Sequence, residues 1–424
     1  MSTTAPPRGP VVARAHRAAA FVRESGPQAW LRRLESPTTT YYMLIAATSI
    51  LVGFGLIMVL SASAIVSLAS TSSSYTVFRS QLTYAVLGTL AILIAVRIPP
   101  HLWKRLALPL MIIAIALQAL VFSPIGSCVS GNCNWIDLGP FVVQPSEIVK
   151  LALALLGAAI LSQKRRVLGQ FRHVLVPYIV PFAAVSIGLV LYGEDLGTVL
   201  ILGAVVGAVL WAAGVPARYF GFAGGLFVAL AVAMVVYSPN RLGRFDVWLG
   251  RDTDPFGIAR QSIHGRYALA DGGWFGLGLG GSREKWQWLS EPHNDFIFAI
   301  IGEELGLGGT LLVIVLFLMV AYCSYRVVVS SSDLFVRLAT AGIMGWIIVQ
   351  AMINIGSVIG MLPVIGVNLP LVSSGGSSLI MTMTALGILI SFARHEPECA
   401  AELAARPRHR LLPRRVRRPL RRRG

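Results

Sequence analysis

Residues 295–325 read DFIFAIIGEELGLGGTLLVIVLFLMVAYCSY, and this run decides the class of fold. A helix needs about 20 apolar residues, at 1.5 Å each, to cross the roughly 30 Å hydrocarbon core of a bilayer. Apart from Asp295, Glu303 and Glu304 the run carries no charge, and it is long enough to cross. It therefore predicts a membrane-spanning helix.

Similar apolar runs lie on both sides of this one. They occupy residues 41–61, 80–97, 103–123, 146–162, 174–192, 196–213, 219–237, 338–360 and 376–393. Only 13% of the residues are charged and the mean hydropathy is +0.71, whereas soluble domains carry roughly 25% charged residues. The composition excludes a soluble protein and predicts an all-α polytopic membrane protein of about ten transmembrane helices.

The basic residues predict the orientation, because short cytoplasmic connections are rich in Lys and Arg. With the N-terminus inside, the cytoplasmic connections hold Arg97, Lys104, Arg105, Lys164, Arg165, Arg166, Arg172, Arg218, Arg326 and Arg337. Both termini are then cytoplasmic, with basic tails at 1–40 and 395–424 around a membrane domain at 41–394. Eleven of the 36 Lys and Arg residues lie between Arg394 and Arg423. Such a tail beside a span predicts an anchor on anionic lipid and not a nucleic-acid partner.

The connection between the seventh and eighth spans, residues 238–294, is long and faces outward in this topology. Its four tryptophans, several glycines and mixed charges are a poor composition for disorder. We expect a large folded extracytoplasmic loop that covers the membrane surface, with a half-helix around residues 259–270.

The sequence EPHND at 291–295 leads from this loop into the eighth span. Asn294 and Asp295 suit the start of a helix, one as N-cap and the other at the positive end of the helix dipole. Alternatively, a carboxylate held at the membrane mouth has a raised pKa and a fixed position, which suits a general base. The local pattern leaves both interpretations open.

Two adjacent carboxylates lie deeper in the same span. At 100° per residue Glu303 is about 80° from Asp295 around a helix, and Glu304 is on the opposite side. We expect Glu303 to line the same cavity as Asp295 and Glu304 to pair with another helix. Structural pairing is an alternative for both.

Two further stretches carry polar residues at the outer ends of spans. In QPSEIVK at 144–150 the proline suits the start of a helix. Lys150 lies one turn from Glu147, so it either forms an ion pair with Glu147 or binds a phosphate. The small residues at 369–378, LPLVSSGGSS, include Ser377 and suit either close helix packing or substrate contact.

Cys128 and Cys133 share the second outer loop, on the oxidising side of the membrane, where thiols tend to pair. Gly131 and Asn132 between them suit a tight turn. The sequence predicts a disulfide that tethers this loop.

Five long stretches together resemble the SEDS family, the FtsW, RodA and SpoVE proteins of bacterial cell-wall synthesis. They are NWIDLGPFVVQPSEIVKLAL from 134, EDLGTVL from 194, residues 254–309 with GSREKWQWLSEPHND, INIGSVIGMLPVIGVNLPLVSSGGSSL from 353 and ALGILISFAR from 385. The GSREKWQWL stretch at 281–289 is most similar to the FtsW branch, which acts in cell division.

The resemblance implies a peptidoglycan glycosyltransferase of the bacterial cytoplasmic membrane, at the division septum, that polymerises lipid II at the outer face. It implies Asp295 as the catalytic base and places Glu147 and Lys150 on the family's conserved glutamate and lysine. Further candidates for substrate contact come from the residues themselves. They are the loop cations Arg244, Arg283 and Lys285, for the charge of the pyrophosphate, and the polar residues His293, Glu303 and Ser377.

The implied partners are lipid II, the growing undecaprenyl-diphosphate-linked glycan, a class B penicillin-binding protein and other division proteins. No cofactor is predicted beyond an optional divalent cation (Mg or Mn), for which the sequence shows no site. The alternatives are a lipid II flippase, a non-catalytic scaffold that recruits the penicillin-binding protein, and a RodA-like polymerase of elongation.

Overall fold

The computed structural model describes residues 36–405, apart from residues 72, 130–131, 138, 140–141, 165–174, 237, 253, 255–256 and 287. Most of both predicted basic tails lies outside the described residues, as do Arg165, Arg166 and Arg172. Their predicted roles stay predictions.

The described chain is mainly helical. In chain order the helices are α1 Pro37–Thr71, α2 Thr76–Ala95, α3 Pro100–Leu120, α4 Pro145–Gln163, a π-helical segment Leu175–Ala184 continued by α5 Val185–Tyr192, α6 Leu196–Ala212, α7 Ala217–Val236, α8 Pro239–Trp248, α9 Arg260–Gly272, α10 Ile297–Ser330, α11 Leu334–Val358, α12 Gly376–His395 and α13 Pro397–Ala405. The predicted half-helix in the long loop is present as α9.

Seven of the described helices, namely α1, α2, α3, α4, α10, α11 and α12, are long and apolar enough to cross a membrane. Three shorter apolar helices, at Val176–Tyr192, Leu196–Ala212 and Ala217–Leu230, lie where the fifth to seventh spans were predicted. The chain is therefore a mostly helical membrane protein. The count of ten spans and the outward placement of the long loop stay predictions.

Helix α4 lies at the centre of the bundle, where it packs on α3, α6 and α11. It is buried along nearly its whole length, and a helix that is apolar on all sides is typical of such a central position. Helix α12 packs on α2 and α1, and α10 packs on α1 and α11. The polar residues at the first turn of α4 are therefore enclosed by other helices.

Helix α10 is broken at Gly306, which has φ 65° and ψ −159°. The loop after α9 fills the break, because Leu277 N donates to Glu303 O at 2.9 Å, Gly278 N to Glu304 O at 2.9 Å, and Leu307 N to Gly273 O at 3.0 Å. A Cβ at Gly306 would lie 2.5 Å from Gly276 N. A glycine therefore allows both the turn and the close approach of the loop, and the loop satisfies the backbone groups that the break exposes.

The expectation of an all-α fold needs one correction, since three short strands precede α4. Strands β1 Gly126–Val129, β2 Asn132–Asp137 and β3 Val142–Val143 form an antiparallel sheet in the order β1-β2-β3. Cys128 is opposite Cys133 in the register and the two form a disulfide, with Cα atoms 4.1 Å apart. The structure thus contains the predicted disulfide, on a hairpin that the apolar periodicity did not indicate.

The disulfide hairpin contacts the turn before α6, since Cys133 N donates to Gly193 O at 3.1 Å and Asn134 Nδ2 donates to the same oxygen at 2.9 Å.

We expect Cys128 and Cys133 to resist alkylation without reductant and to react after reduction, as measured by mass spectrometry of the denatured protein. Cys323 and Cys399 are buried thiols outside this disulfide, so they are the internal control and should be alkylated under both conditions. Alkylation of all four cysteines without reductant would contradict the bond.

Candidate active site

A cavity of about 730 Å³ lies among the first turn of α4, the starts of α6 and α8, the turn before α10 and the segment 363–378. Its charged lining residues are Glu147, Lys150, Glu194, Asp195, Arg241, Arg244, Glu291 and Asp295. The predicted residues Asp295, Lys150, Glu147, Arg244 and Ser377 therefore come together in one cavity, although they are far apart in the sequence.

Asp295 does not cap a helix. Helix α10 begins at Ile297, its N-cap residue is Phe296, and no side chain caps it. Asn294 binds Glu291 through its side chain instead, so the interpretation of Asn294 as the N-cap is wrong, while Asp295 does lie at the N-terminal end of α10. The Asp295 carbonyl accepts from Asn354 Nδ2 of α11 at 2.8 Å. That bond fixes the backbone and leaves the carboxylate directed at the cavity.

The Asp295 carboxylate is partly buried and lies near Arg244. A Cβ added at Gly366 would be 3.4 Å from Asp295 Oδ2 and 3.9 Å from Arg244 Nη1. No hydrogen-bond donor among the described residues reaches the carboxylate. The pKa of Asp295 is raised to about 6, mainly by burial and also by the negative charges of Glu291 and Asp195, while Arg244 opposes the shift. A carboxyl group with such a pKa is ionised at neutral pH and still basic enough to take a proton.

Lys150 is 1% exposed, and its ammonium lies 2.8 Å from Glu147 Oε2. It also donates to Gln350 Oε1 at 3.1 Å and lies 5.0 Å from the ring centroid of Trp346. The ion-pair interpretation of the QPSEIVK stretch therefore holds. An ammonium has three N–H groups, and the contacts to Glu147 and Gln350 within the described part of the chain leave at least one of them for a ligand in the cavity.

Three residues that the sequence did not assign to the site also line the cavity, namely Asp195, Gln144 and Arg241. Asp195 caps α6, accepting from Thr198 N at 2.8 Å and from Thr198 Oγ1 at 2.7 Å. Gln144 links it to the other walls, since its Nε2 donates to Asp195 Oδ2 at 3.2 Å and its backbone N donates to Ser377 Oγ at 3.1 Å. Arg241 donates to the Glu194 carbonyl. The stretch GEDLGT at 193–198 was the available signal, but its cap alone does not indicate a cavity.

Backbone strain is concentrated at the same place. The non-glycine residues with positive φ in the described chain are Glu194 at 62°, Glu291 at 54° and Leu371 at 65°. Two of them line the cavity and the third begins the segment that leads to Ser377. Such conformations cost about 1–3 kcal/mol each and cluster at functional sites.

Glu303 and Glu304 do not line this cavity, which corrects the prediction for Glu303. The Glu303 carboxylate accepts hydrogen bonds from Ser282 Oγ at 2.6 Å and from Arg283 N at 2.6 Å. Because Asp295 lies before α10, helical spacing does not relate the two residues. Glu304 accepts from Ser61 Oγ of α1 at 2.7 Å, as expected for a residue that pairs with another helix.

Three other predicted substrate ligands also lie outside the lining of the cavity. Lys285 is buried and donates to Glu304 Oε1 at 2.9 Å and to Gly280 O at 2.8 Å. Arg283 is exposed. His293 is buried, and its Nδ1 has no partner among the described residues. Lys285 thus holds the long loop on α10, and Arg283 lies at the surface of that loop.

Lys285→Met should lower the free energy of unfolding by about 3–5 kcal/mol, because it leaves the Glu304 carboxylate buried without a cation. The double variant Lys285→Met with Glu304→Gln should recover most of that loss. Thermal unfolding of the detergent-solubilised proteins measures both. If the single variant keeps its Tm but loses activity, Lys285 serves a ligand and not the fold.

No group of three or more His, Cys, Asp or Glu side chains in the described part of the chain is placed to hold a metal ion. The optional divalent cation stays a prediction.

Comparisons with known proteins agree on one family. The family model "Cell cycle protein", for FtsW, RodA and SpoVE, matches residues 41–398. The probable peptidoglycan glycosyltransferase FtsW of Mycobacterium tuberculosis is 40% identical over 378 residues, covering 89% of this chain and 71% of that protein. Stage V sporulation protein E of Bacillus subtilis is 36% identical, covering 84% of this chain and 98% of that protein.

Two solved structures are similar as well. One is a chain of a peptidoglycan synthase complex that coordinates polymerization and crosslinking, with TM-score 0.68 and 27% identity, covering 84% of this chain and 98% of that one. The other is the rod shape determining protein RodA of Thermus thermophilus, with TM-score 0.60 and 25% identity, covering 84% and 96%.

Proposed function

The chain belongs to the FtsW, RodA and SpoVE family of cell-cycle proteins, and we propose that it is a peptidoglycan glycosyltransferase that polymerises lipid II. The observation that carries the proposal is the Asp295 carboxylate, which faces a polar cavity beside Arg244 and has no hydrogen-bond donor within the described part of the chain. A free carboxylate with a raised pKa is what a general base requires.

In the proposed reaction, one lipid II presents the 4-hydroxyl of its N-acetylglucosamine to C1 of the muramyl unit of the growing strand. Asp295 takes the hydroxyl proton as the oxygen forms its bond to C1. The bond from C1 to the pyrophosphate breaks, and undecaprenyl pyrophosphate leaves. An α-linked donor that becomes a β-1,4 linkage is inverted, so one base suffices and no carboxylate nucleophile is needed.

The leaving pyrophosphate carries negative charge, which the cavity can stabilise. Arg244, Arg241 and Lys150 supply positive charge along its walls, and preorganised charge in a partly dry site is an effective catalyst. Arg244 has a second role beside the base, because its charge keeps the Asp295 pKa from rising further. We assign Arg283 and Lys285 no part in charge stabilisation, since neither lines the cavity.

The pH dependence should report the base. Because the folded-state pKa of Asp295 is raised to about 6, the carboxylate predominates above that pH and is lost below it. We expect kcat/KM for polymerisation to be flat from about pH 7 upward and to fall roughly tenfold per pH unit on the acidic side of pH 6. Tm measured across the same range separates loss of the base from unfolding. A rate that is unchanged down to pH 5 would exclude Asp295 as the base.

The proposed setting is the outer face of the bacterial cytoplasmic membrane, with both termini cytoplasmic, at the division septum. The distribution of Lys and Arg supports the orientation. The similarity to FtsW proteins supports a division role, and the similarity to a chain of a synthase complex supports a class B penicillin-binding protein as the crosslinking partner.

Purified protein with labelled lipid II tests the activity directly. Polymer that appears as a ladder on a gel supports the enzyme, whether of the FtsW or the RodA type. In proteoliposomes, translocation of lipid II without polymer would indicate a flippase. Neither product, with retained binding to the penicillin-binding protein, would indicate a scaffold.

A further inference from the structure

A second cavity, of about 640 Å³, lies between α1, α2 and α12, and none of its lining residues belongs to the candidate active site. On α1 its lining residues recur every three or four positions from Tyr41 to Gly53. Twelve residues of helix rise about 18 Å, which is close to the depth of one leaflet of a bilayer whose hydrocarbon core is roughly 30 Å thick. The groove therefore has the length of a lipid chain.

The walls of this groove are largely apolar. Aliphatic side chains of α1, α2 and α12 form much of the lining, together with the hydroxyl groups of Tyr41, Ser49 and two threonines, and both threonines bond to their own helices. Thr48 Oγ1 donates to Leu44 O at 2.7 Å, and Thr89 Oγ1 donates to Ala85 O at 2.8 Å. At Gly53 a Cβ would meet no atom within 4 Å, so the missing side chain leaves space in the wall.

One end of the groove is basic. Arg97 follows α2, Arg394 lies in the last turn of α12, and both line the groove and are exposed. Arg97 uses Nη1 to donate to Leu93 O at 2.7 Å, which leaves further N–H groups of its guanidinium for an anion. In the predicted orientation this end faces the cytoplasm, where the leaflet carries anionic headgroups and basic pockets between helices bind them.

We propose that this groove binds one anionic phospholipid of the cytoplasmic leaflet. Its phosphate lies between Arg97 and Arg394, and one acyl chain follows α1 and α2 toward Gly53. A zwitterionic lipid offers the same chain, but its headgroup adds a cation at the arginine end. Charge complementarity therefore selects the anionic lipid.

The same three helices also support the candidate active site, just beyond the apolar end of the groove. A Cβ at Gly55 of α1 would lie 2.8 Å from Val372 Cα, and Gln81 of α2 donates to Ser373 O at 3.2 Å. Ser377 lies in the first turn of α12. A lipid that joins α1, α2 and α12 therefore stabilises the helices that carry the 371–378 wall. The binding itself does not depend on the proposed activity, so the two can fail separately.

Native mass spectrometry of the delipidated protein with phosphatidylglycerol or phosphatidylcholine tests the proposal. We expect one phosphatidylglycerol to bind at least about tenfold more tightly than phosphatidylcholine. The variant Arg97→Gln with Arg394→Gln should lose about 30-fold in affinity, roughly fivefold for each basic residue near the headgroup. Gly53→Leu should block binding by filling the groove, whereas the matched control Gly188→Leu, at an exposed glycine of α5 that also has open space, should not.

Tm without lipid shows that each variant is folded. If the double arginine variant does not fold, the two single variants replace it, each with an expected loss of about fivefold. Equal affinity for the two lipids, or wild-type affinity in the folded arginine variants or in Gly53→Leu, would overturn the proposal.

Discussion

Asp295→Asn should reduce lipid II polymerisation by at least about 10²–10⁴-fold, the contribution usual for a positioned general base. Asparagine has nearly the same size and cannot accept the proton from the attacking hydroxyl. The bond from Asn354 Nδ2 to the backbone carbonyl of residue 295 does not involve the side chain, so the turn before α10 should keep its shape. The measurement is polymer formed by the purified variant under single-turnover conditions.

The variant should be folded, because the structure gives the carboxylate no role in stability. It does not cap α10, and burial disfavours its charged form, so a neutral amide removes that cost. We therefore expect an unchanged or slightly higher Tm and normal binding to the proposed penicillin-binding partner. Asp271→Asn, an exposed carboxylate of α9 outside the lining of the cavity, is the matched control and should polymerise normally. A near wild-type rate in Asp295→Asn would rule out the assignment.

Lys150→Met should impair both folding and activity. Methionine fills similar space but leaves Glu147, which is 4% exposed, without its cation. Removal of one partner of a buried ion pair typically costs about 3–5 kcal/mol. Gln350 Oε1 loses the hydrogen bond from Lys150 but still accepts one from Trp346 Nε1 at 2.7 Å. The main loss of stability therefore comes from the unpaired Glu147 carboxylate. Tm in detergent measures this loss.

The double variant Glu147→Gln with Lys150→Met separates the two roles of the lysine. It removes both charges, and a buried pair replaced by neutral side chains is often close to neutral in stability, so Tm should recover. Polymerisation should stay at least about tenfold below wild type, because Lys150 lines the cavity and has an N–H left for the leaving pyrophosphate. If polymerisation recovers together with Tm, the pair is structural and the substrate contact is withdrawn.

The membrane class and the positions of the spans follow from the sequence alone. Each span is a local property, since a run of apolar residues of sufficient length must lie in lipid wherever its neighbours are. The apolar run at 295–325 and the similar apolar runs elsewhere in the sequence predicted all seven long helices. Helix α10 extends beyond its predicted end, to Ser330. The disulfide could also be predicted from the sequence, because the two cysteines are only five residues apart with turn residues between them.

Only the tertiary structure decided which polar residues share the cavity. Glu303 lies eight residues from Asp295, but helical spacing does not relate them, since Asp295 lies in a turn before α10. Lys285 satisfies Glu304 through a loop that reaches the break at Gly306. Asp195, Gln144 and Arg241 join the site through contacts between segments that are distant in sequence. Local patterns report hydrophobicity and helix ends, whereas the partner of a buried charge depends on which helices and loops pack beside it, so only the packed structure decided how these charges are arranged.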